Sequence, residues 1–167
     1  PSNEKSSISP GNIRSIIEDS RGILWIGTSV GLDQFDYESN SFTHYYHDPS
    51  DSLSLISNNI NTLFEDTNGD LWIGTHSGGI AKFNGSAWIN YHSVNSNLPE
   101  GIIKAIHVDE SNHVWVAVYN AGLYRFDGSL WEAIEINNSG MNCDWPSNLE
   151  LYADGSMWIG SYYGLSV

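Results

Sequence analysis

The chain is poor in cysteine and in basic residues. Cys143 is its single cysteine, which excludes an intrachain disulfide and any metal site built from several thiolates. Six Lys and Arg stand against 20 Asp and Glu, so the formal net charge is −14. Such a charge repels nucleic-acid phosphates and anionic lipid surfaces. No apolar run approaches the roughly 20 residues that a membrane-spanning helix needs. Nucleic-acid binding and direct membrane insertion are therefore not expected.

Aromatic residues, glycines and short apolar runs are abundant instead. The 167 residues include seven Trp and 16 Gly, and Asn, Asp and Ser punctuate the apolar runs. This texture is typical of an all-β protein with frequent turns. The chain begins with Pro rather than Met, and we expect its numbering to start inside a longer gene product or after processing.

One short motif recurs four times along the chain. It reads LWIGT at 24–28 and 71–75, VWVAV at 114–118 and MWIGS at 157–161. Its tryptophans follow one another at spacings of 47, 43 and 43 residues. The match extends beyond the motif. An apolar residue stands nine positions before each tryptophan, and a Gly followed by Leu or Ile stands several positions after it. The chain therefore consists of repeats of one structural unit.

Each unit predicts four short antiparallel strands joined by turns. In the second unit the strand segments are NINTLFED, LWIGTH, IAKFN and WINYH, and Asn68-Gly69 supplies a hairpin turn. Four strands in a period of about 40–50 residues indicate a β-propeller. The second strand is apolar at consecutive positions, as expected for a blade covered on both faces. The prediction is an all-β propeller of four-stranded antiparallel blades, with about three and a half blades present.

We place these blades at 11–50, 58–95 and 101–138, with an incomplete one at 147–167 and an inter-blade linker at 1–10. An open array of blades would expose apolar faces and strand edges. We therefore expect either a fragment of a larger propeller or an assembly in which another copy completes the ring.

Several local patterns resemble catalytic or metal-binding motifs but have simpler explanations. GTSVG at 27–31 matches the nucleophile elbow around Ser29, yet both glycines belong to the repeat and no helix is expected to follow. Asp66, Asn68 and Asp70 alternate as in a calcium loop, without the Gly and Glu that such a loop needs later. His44 and His47 point to opposite faces of a strand. No metal and no cofactor are predicted.

Two repeated features are also predicted to be structural. The pairs Glu18-Asp19 and Glu65-Asp66 recur at the same turn of successive blades, where turn capping explains them. The repeated tryptophans, such as Trp72, lie in the middle of a strand at one repeat position. We expect them to pack between blades rather than to bind sugar rings.

Positions that differ between units are the better candidates for function. In a propeller, the turn between the second and third strands lies on the same face as the inter-blade linker. The variable residues of the turns and linkers on that face supply the candidate ligand-binding set: His76, Ser77, His92, Tyr119, Asn120, Trp145, Tyr162 and Tyr163. Trp145 is the one tryptophan without a counterpart in the other units. Aromatic rings beside amide, imidazole and hydroxyl groups suit a neutral polar ligand such as an oligosaccharide.

The segments IRSIIEDSRGILWIGTSVGLDQFD and INTLFEDTNGDLWIGTHSGGIAKFN resemble two-component regulator propeller repeats. The linker HYYHDPSDSLSLISNNI is similar to the connection between blades in that family. The resemblance implies a seven-bladed propeller in the periplasmic sensor region of a Bacteroidetes hybrid histidine kinase, with glycan fragments as ligands. Related repeats occur in secreted proteins and in proteins associated with type IX secretion. Ala117, Asn112 and Pro146 depart from the repeat pattern in the third and fourth units.

These observations favour a non-catalytic ligand-binding module, periplasmic or at the cell surface, that senses a glycan or small molecule in two-component signal transduction. Its expected partners are an oligosaccharide or another small polar ligand, and the rest of the propeller or another copy. An interaction scaffold without a small ligand is the alternative. A carbohydrate-active propeller enzyme is less favoured, because no non-repeating cluster of carboxylates or histidines can be placed in one pocket.

Overall fold

A computed structural model describes residues 7–134 and 145–167, and these residues form fifteen strands. The first sheet contains β1 (Ile13–Glu18), β2 (Leu24–Thr28), β3 (Leu32–Asp36) and β4 (Ser41–Tyr45). The second contains β5 (Ile60–Glu65), β6 (Leu71–Thr75), β7 (Ile80–Phe83) and β8 (Trp88–Tyr91). The third contains β9 (Ile103–Val108), β10 (Val114–Val118), β11 (Gly122–Phe126) and β12 (Trp131–Ile134). The fourth contains β13 (Pro146–Leu151), β14 (Met157–Ser161) and β15 (Gly164–Ser166).

Every sheet is an antiparallel meander in which consecutive strands are neighbours. Three sheets have four strands and the last has three, as predicted for propeller blades. The described residues contain no helix, and thus none that could cross a membrane. The first strand of each blade packs against the first two strands of the blade before it. The four sheets are therefore successive blades of one array.

An aspartate organises the first hairpin of each of the first three blades. In the second blade, Oδ1 of Asp66 accepts hydrogen bonds from the backbone N–H groups of Asn68 and Asp70. Its Oδ2 accepts the indole N–H of Trp72 at 2.9 Å. Asp19 with Trp25 and Asp109 with Trp115 repeat this indole bond at the same length. The predicted turn capping by Asp19 and Asp66 is confirmed, and the same carboxylate also fixes the tryptophan.

The glutamate of the pair has a different role from the predicted one. Both carboxylate oxygens of Glu65 accept hydrogen bonds from Ser20 in the preceding blade, one from the backbone N–H and one from the hydroxyl, each 2.7 Å long. Glu65 therefore links two blades and does not cap its own turn.

The left-handed position in the first hairpin explains one departure from the repeat. Gly69 has φ of 80°, whereas Asn68 does not adopt a positive φ. Asn112 occupies the position of Gly69 in the third blade and takes φ of 63°. Asn tolerates this conformation better than other residues with a side chain, so the turn survives the exchange.

Small residues in the second strand make room for the next blade. A Cβ atom on Gly27 would lie 2.5 Å from Cγ2 of Ile60, and one on Gly74 would lie 2.6 Å from Cγ2 of Ile103. At the next interface, Ala117 and Pro146 occupy the positions of this Gly–Ile pair. The two departures from the repeat therefore fall at one interface. There Ala117 adds the Cβ that glycine lacks, and Pro146 lacks the branched side chain of isoleucine.

The repeated tryptophans pack between blades where a following blade covers them. Trp25 meets Phe83 edge to face at 5.9 Å, and Trp72 meets Phe126 in the same way and at the same distance. Both tryptophans are 1% exposed. The packing prediction is confirmed for these two. Trp158 is 37% exposed, because the fourth blade has no covering blade in the described part of the chain.

Candidate functional site

One backbone hydrogen bond recurs at the same end of all four blades. The residue after the second strand donates its N–H to the carbonyl of the residue before the first strand. The pairs are Ser29 to Asn12 (3.0 Å), His76 to Asn59 (2.8 Å), Tyr119 to Ile102 (2.9 Å) and Tyr162 to Trp145 (3.3 Å). The backbone is thus fixed while the donor's side chain changes from Ser to His to Tyr. The repeat holds variable side chains at one end of each blade.

Two inter-blade linkers rise beside this end of the second blade and form the walls of a groove. The first linker, 46–59, is anchored by Leu55, which is buried in the core. The amide of Asn90 donates to the carbonyl oxygens of Ser52 and Ser54 at 3.3 and 2.9 Å. Asn58 accepts the backbone N–H of His47 at 2.7 Å. These bonds fix the first wall before any ligand arrives.

The second linker, 92–102, is anchored in a similar way. Leu98 is fully buried. The side chain of Asn95 accepts the backbone N–H of His92 at 2.9 Å and donates to the carbonyl oxygen of Asn90 at 2.7 Å. Ser93 donates its hydroxyl to Glu100 at 3.1 Å. Both walls are therefore ordered by bonds within the protein.

The groove between the linkers has a volume of about 1200 Å³. The turn at 76–79 and strand β8 also line it. Five of the eight predicted residues lie along it: His76, Ser77, His92, Tyr119 and Asn120. They come from two turns and one linker that are far apart in sequence, and the propeller geometry brings them together.

The other three predicted residues form an aromatic cluster that adjoins the groove at Tyr119. The ring of Trp145 stacks on Tyr119 at 5.8 Å between ring centroids and on Tyr163 at 5.7 Å. Tyr162 meets Trp145 edge to face at 5.7 Å. Tyr162 is 77% exposed and Tyr163 is 61% exposed. The cluster of Tyr119, Trp145, Tyr162 and Tyr163 thus offers two accessible tyrosine rings.

Tyr119 is more enclosed than Tyr162 and Tyr163. The ammonium group of Lys104 lies 5.3 Å from its ring centroid, and Trp145 stacks on the ring. With its ring engaged in these two contacts, Tyr119 offers chiefly its edge and its hydroxyl group to a ligand.

The three imidazoles of the groove have different hydrogen-bonding states. His47 donates its Nδ1–H to the carbonyl oxygen of Leu55 at 2.8 Å. His92 accepts the backbone N–H of Val94 at Nδ1, 3.3 Å away, so its Nε2 carries the proton and can donate. The exposed imidazole of His76 has no hydrogen-bond partner among the described residues. Its ring nitrogens are free to bond a ligand.

The groove also contains residues that the sequence did not point to. Asn90 joins the two walls, and the apolar side chains of Leu53 and Val94 stand exposed on opposite linkers. The carboxylates of Asp51 and Glu100 line the groove as well. The linkers have no common repeat pattern, so only their folded positions reveal which of these side chains converge.

A second polar cluster lies outside the groove and is structural. The carboxylate of Asp33 is fully buried and accepts hydrogen bonds from the backbone N–H and the hydroxyl of Ser9 at 2.7 and 2.6 Å. His44 Nδ1 lies 2.7 Å from the same carboxylate. These bonds tie the segment before β1 to the first blade. The described residues contain no group of three or more His, Cys, Asp and Glu side chains suited to a metal ion.

A family model for the two-component regulator propeller matches residues 7–30 and 54–77. Two units of this chain thus match the two-component regulator propeller repeat. Each match runs from the linker through the first hairpin to the turn that carries Ser29 or His76. The resemblance seen in the sequence is thereby confirmed. No curated protein matches the chain.

Solved structures with the same fold have varied functions. The extracellular domain of a putative hybrid two-component system from B. thetaiotaomicron aligns over 95% of this chain, with 23% identity and a TM-score of 0.70. Virginiamycin B lyase from Staphylococcus aureus aligns over 98%, with 16% identity and a TM-score of 0.66. PorZ, a surface component of the type IX secretion system of Porphyromonas gingivalis, aligns over 98%, with 18% identity and a TM-score of 0.52.

These structures are all larger than the present chain. The chain spans 21% of the sensor domain, 57% of the lyase and 33% of PorZ. At such identities the likeness establishes the propeller fold, and the function has to be argued from the site itself.

Proposed function

We propose that this propeller segment is a ligand-binding module of an extracytoplasmic sensor, and that the groove and the aromatic cluster bind an oligosaccharide. The observation that carries the proposal is the recurring backbone bond. It places a different side chain at the same end of each blade, at Ser29, His76, Tyr119 and Tyr162. A fixed backbone with variable side chains supports specific recognition, because the binding groups are positioned before the ligand arrives.

The chemistry of the groove suits a sugar. Its volume of about 1200 Å³ exceeds the roughly 300–1,000 Å³ of pockets that hold drug-sized ligands, so an extended oligosaccharide fits. Free imidazole nitrogens of His76 and the hydroxyl of Ser77 can bond sugar hydroxyl groups. The exposed rings of Tyr162 and Tyr163 can stack on the apolar faces of sugar rings.

The proposed module is non-catalytic. The carboxylates of the groove bond their own linkers: Asp48 accepts the backbone N–H and the hydroxyl of Ser50, Asp51 accepts the backbone N–H of Leu53, and Glu100 accepts the hydroxyl of Ser93. Groups committed to loop structure are poor candidates for proton transfer to a substrate. The lyase with the same fold keeps a propeller enzyme as the competing hypothesis, which an assay for sugar cleavage would test.

An array of neutral oligosaccharides, followed by calorimetry with the strongest ligand, tests the binding proposal. We expect His76→Ala and Tyr162→Ala to weaken binding about tenfold or more, since each removes a group that faces the ligand. Both side chains are exposed, so the melting temperature should change little. Tyr37→Ala is the matched control, because Tyr37 is also exposed but lies in the turn between β3 and β4, at the opposite end of the blade. Unchanged affinity in both groove variants would refute the proposal.

The extracytoplasmic location is part of the same proposal. It is supported by the match to two-component regulator propeller repeats and by the likeness to a sensor's extracellular domain. Fractionation of the native host, with an antibody against this segment, measures it directly. Recovery of the protein in the cytosol would contradict it.

An interaction scaffold is the second candidate, and the exposed face of β1 favours it. Ile13 and Ile16 are 51% and 55% exposed, whereas their counterparts Ile60 and Leu63 are buried against the preceding blade. We propose that a further blade, from the rest of a propeller or from another copy, covers this face. Ile16→Glu should then reduce self-association in sedimentation experiments. If the chain is monomeric and still binds sugar, the scaffold candidate fails.

A further inference from the structure

The charges around the groove set a limit on its ligand. Three of its lining residues carry carboxylates, namely Asp48, Asp51 and Glu100. None of the five Lys and Arg side chains among the described residues lines it. The groove is therefore negative on both walls, with Asp48 and Asp51 on the first linker and Glu100 on the second.

The five described cations have other partners or positions. Arg21, Lys82 and Arg125 form ion pairs with Asp19, Asp70 and Glu132, respectively. Arg14 donates to the side chain of Asn59. Lys104 lies against the ring of Tyr119, beside the groove and not along it. No ion pair among the described residues joins any of them to Asp48, Asp51 or Glu100.

The carboxylate of Asp48 is held in its charged state by its own linker. Hydrogen bonds from the hydroxyl and the backbone N–H of Ser50 lower the pKa of Asp48 below its ordinary value. Asp51 and Glu100 accept hydrogen bonds from the N–H of Leu53 and the hydroxyl of Ser93, and carboxylic acid side chains are generally ionised at neutral pH. At neutral pH the groove therefore carries three negative charges within a chain whose formal charge is −14.

We propose that this groove selects neutral oligosaccharides and rejects their acidic counterparts, such as uronic-acid and sulfated glycans. The inference rests on the proposed sugar binding and specifies the class of sugar. An anionic ligand would approach like charges on both walls with no Lys or Arg along the groove between them, and such juxtaposition opposes binding. A neutral glycan keeps the hydrogen bonds and stacking contacts without this repulsion.

The test compares neutral tetrasaccharides of glucose, mannose and galactose with the same tetrasaccharides oxidised at C6 to uronic acids. Affinities are measured by calorimetry at pH 7.5 and about 50 mM salt, where the Debye length is longer than the roughly 8 Å of physiological salt. We expect the oxidised form of the strongest neutral ligand to bind at least about tenfold more weakly. Salt near 1 M shortens the Debye length to about 3 Å and should narrow the difference.

Charge-neutralising variants locate the effect. The triple variant Asp48→Asn, Asp51→Asn, Glu100→Gln keeps an oxygen acceptor at every position. The readout is the ratio of the two affinities within this variant, which is insensitive to a change that affects both sugars alike. The preference for the neutral sugar over the oxidised one should fall about tenfold. The matched control is Asp36→Asn, Glu38→Gln, Asp127→Asn, which makes the same change in net charge in the turns at the opposite end of the blades. The control should leave the discrimination intact.

The outcomes separate this inference from the proposed function. If the oxidised sugar binds as tightly as the neutral one, or if both triple variants behave alike, the charge selection is wrong and sugar binding stands. If none of the tetrasaccharides binds the wild-type protein, both proposals are overturned.

Discussion

The second and fourth blades carry the same LWIGT-type strand but treat its tryptophan differently. Trp72 is 1% exposed, its indole N–H bonds Asp66, and its ring packs on Phe126 and Trp131 of the next blade. Trp158 is 37% exposed, and its indole N–H bonds the hydroxyl of Ser156 at 3.1 Å. The repeated tryptophan therefore does not contribute equally to stability in every blade. Its contribution depends on the aspartate that holds it and on the blade that covers it.

The largest expected difference between these blades is in the two tryptophans themselves. Trp72→Ala should lower the free energy of unfolding by about 3–5 kcal/mol, because it opens a cavity between two blades. Trp158→Ala should cost about 1 kcal/mol or less, since the ring already meets solvent. Denaturant unfolding of both variants measures the contrast. Equal losses would show that the two sites are packed alike.

A smaller contrast is expected at the glycine two residues later. Gly74→Ala places a Cβ 2.6 Å from methyl carbons of both Ile103 and Thr62, and overpacking of this kind costs about 1–3 kcal/mol. In Gly160→Ala the nearest atom would lie 3.7 Å from the new Cβ, which is ordinary contact. The melting temperature should therefore fall only in the Gly74 variant. A comparable fall in both would contradict the proposed fit between Gly74 and the next blade.

The fourth blade lacks the aspartate that bonds the tryptophan in the other three, and a substitution can supply it. Tyr152 occupies the position of Asp66, and the hairpin backbone bonds around the two residues correspond, with Gly155 donating to Tyr152 as Gly69 donates to Asp66. Tyr152→Asp should offer Trp158 a carboxylate acceptor and raise the free energy of unfolding by up to about 1 kcal/mol. Tyr152→Asn, which lacks the charge, is the control. A loss of stability on Tyr152→Asp would mean that the carboxylate does not reach the indole.

The stabilisation that Asp19 and Asp109 provide should be lost in acid. Burial raises the pKa of Asp19 and of Asp109, but hydrogen bonds from Trp25 and Trp115 and from nearby backbone N–H groups outweigh burial. Both pKa values are therefore held below the ordinary value of 3.8. A lowered pKa stabilises the fold above the unfolded-state pKa and loses that effect as the pH falls. We expect no change near neutral pH and declining stability below about pH 4. An Asp109→Asn variant should show a shallower decline.

The sequence was sufficient to predict the blades because their residues repeat. Trp25, Trp72 and the glycines after them recur at fixed offsets, and the structure places them between blades. The Asp–Trp bond was missed although Asp19, Asp66 and Asp109 each precede a repeated tryptophan by six residues. A recurring offset does not show which group a carboxylate contacts. The role of Glu65 was missed for a similar reason, since its partner Ser20 lies 45 residues away.

The candidate site could be predicted only in part. The rule that variable positions on one face serve function selected His76, His92 and Tyr119, and these residues line one groove. The same rule selected Trp145 and Tyr162, which lie in the adjoining cluster. It could not identify Asn90 or Glu100, because their place in the groove depends on how two linkers of unequal length fold. Whether the set binds a ligand stays a prediction.

One measurement tests the central claim that the tryptophans of the LWIGT-type strands hold the blades together while Trp88 and Trp145 meet the ligand. Indole N–H signals of the seven tryptophans are followed by NMR during titration with the strongest neutral tetrasaccharide. We predict that Trp88, which lines the groove, and Trp145, which lies in the aromatic cluster, shift, while the buried Trp25 and Trp72 do not. Shifts at Trp25 and Trp72 with none at Trp88 and Trp145 would contradict the account.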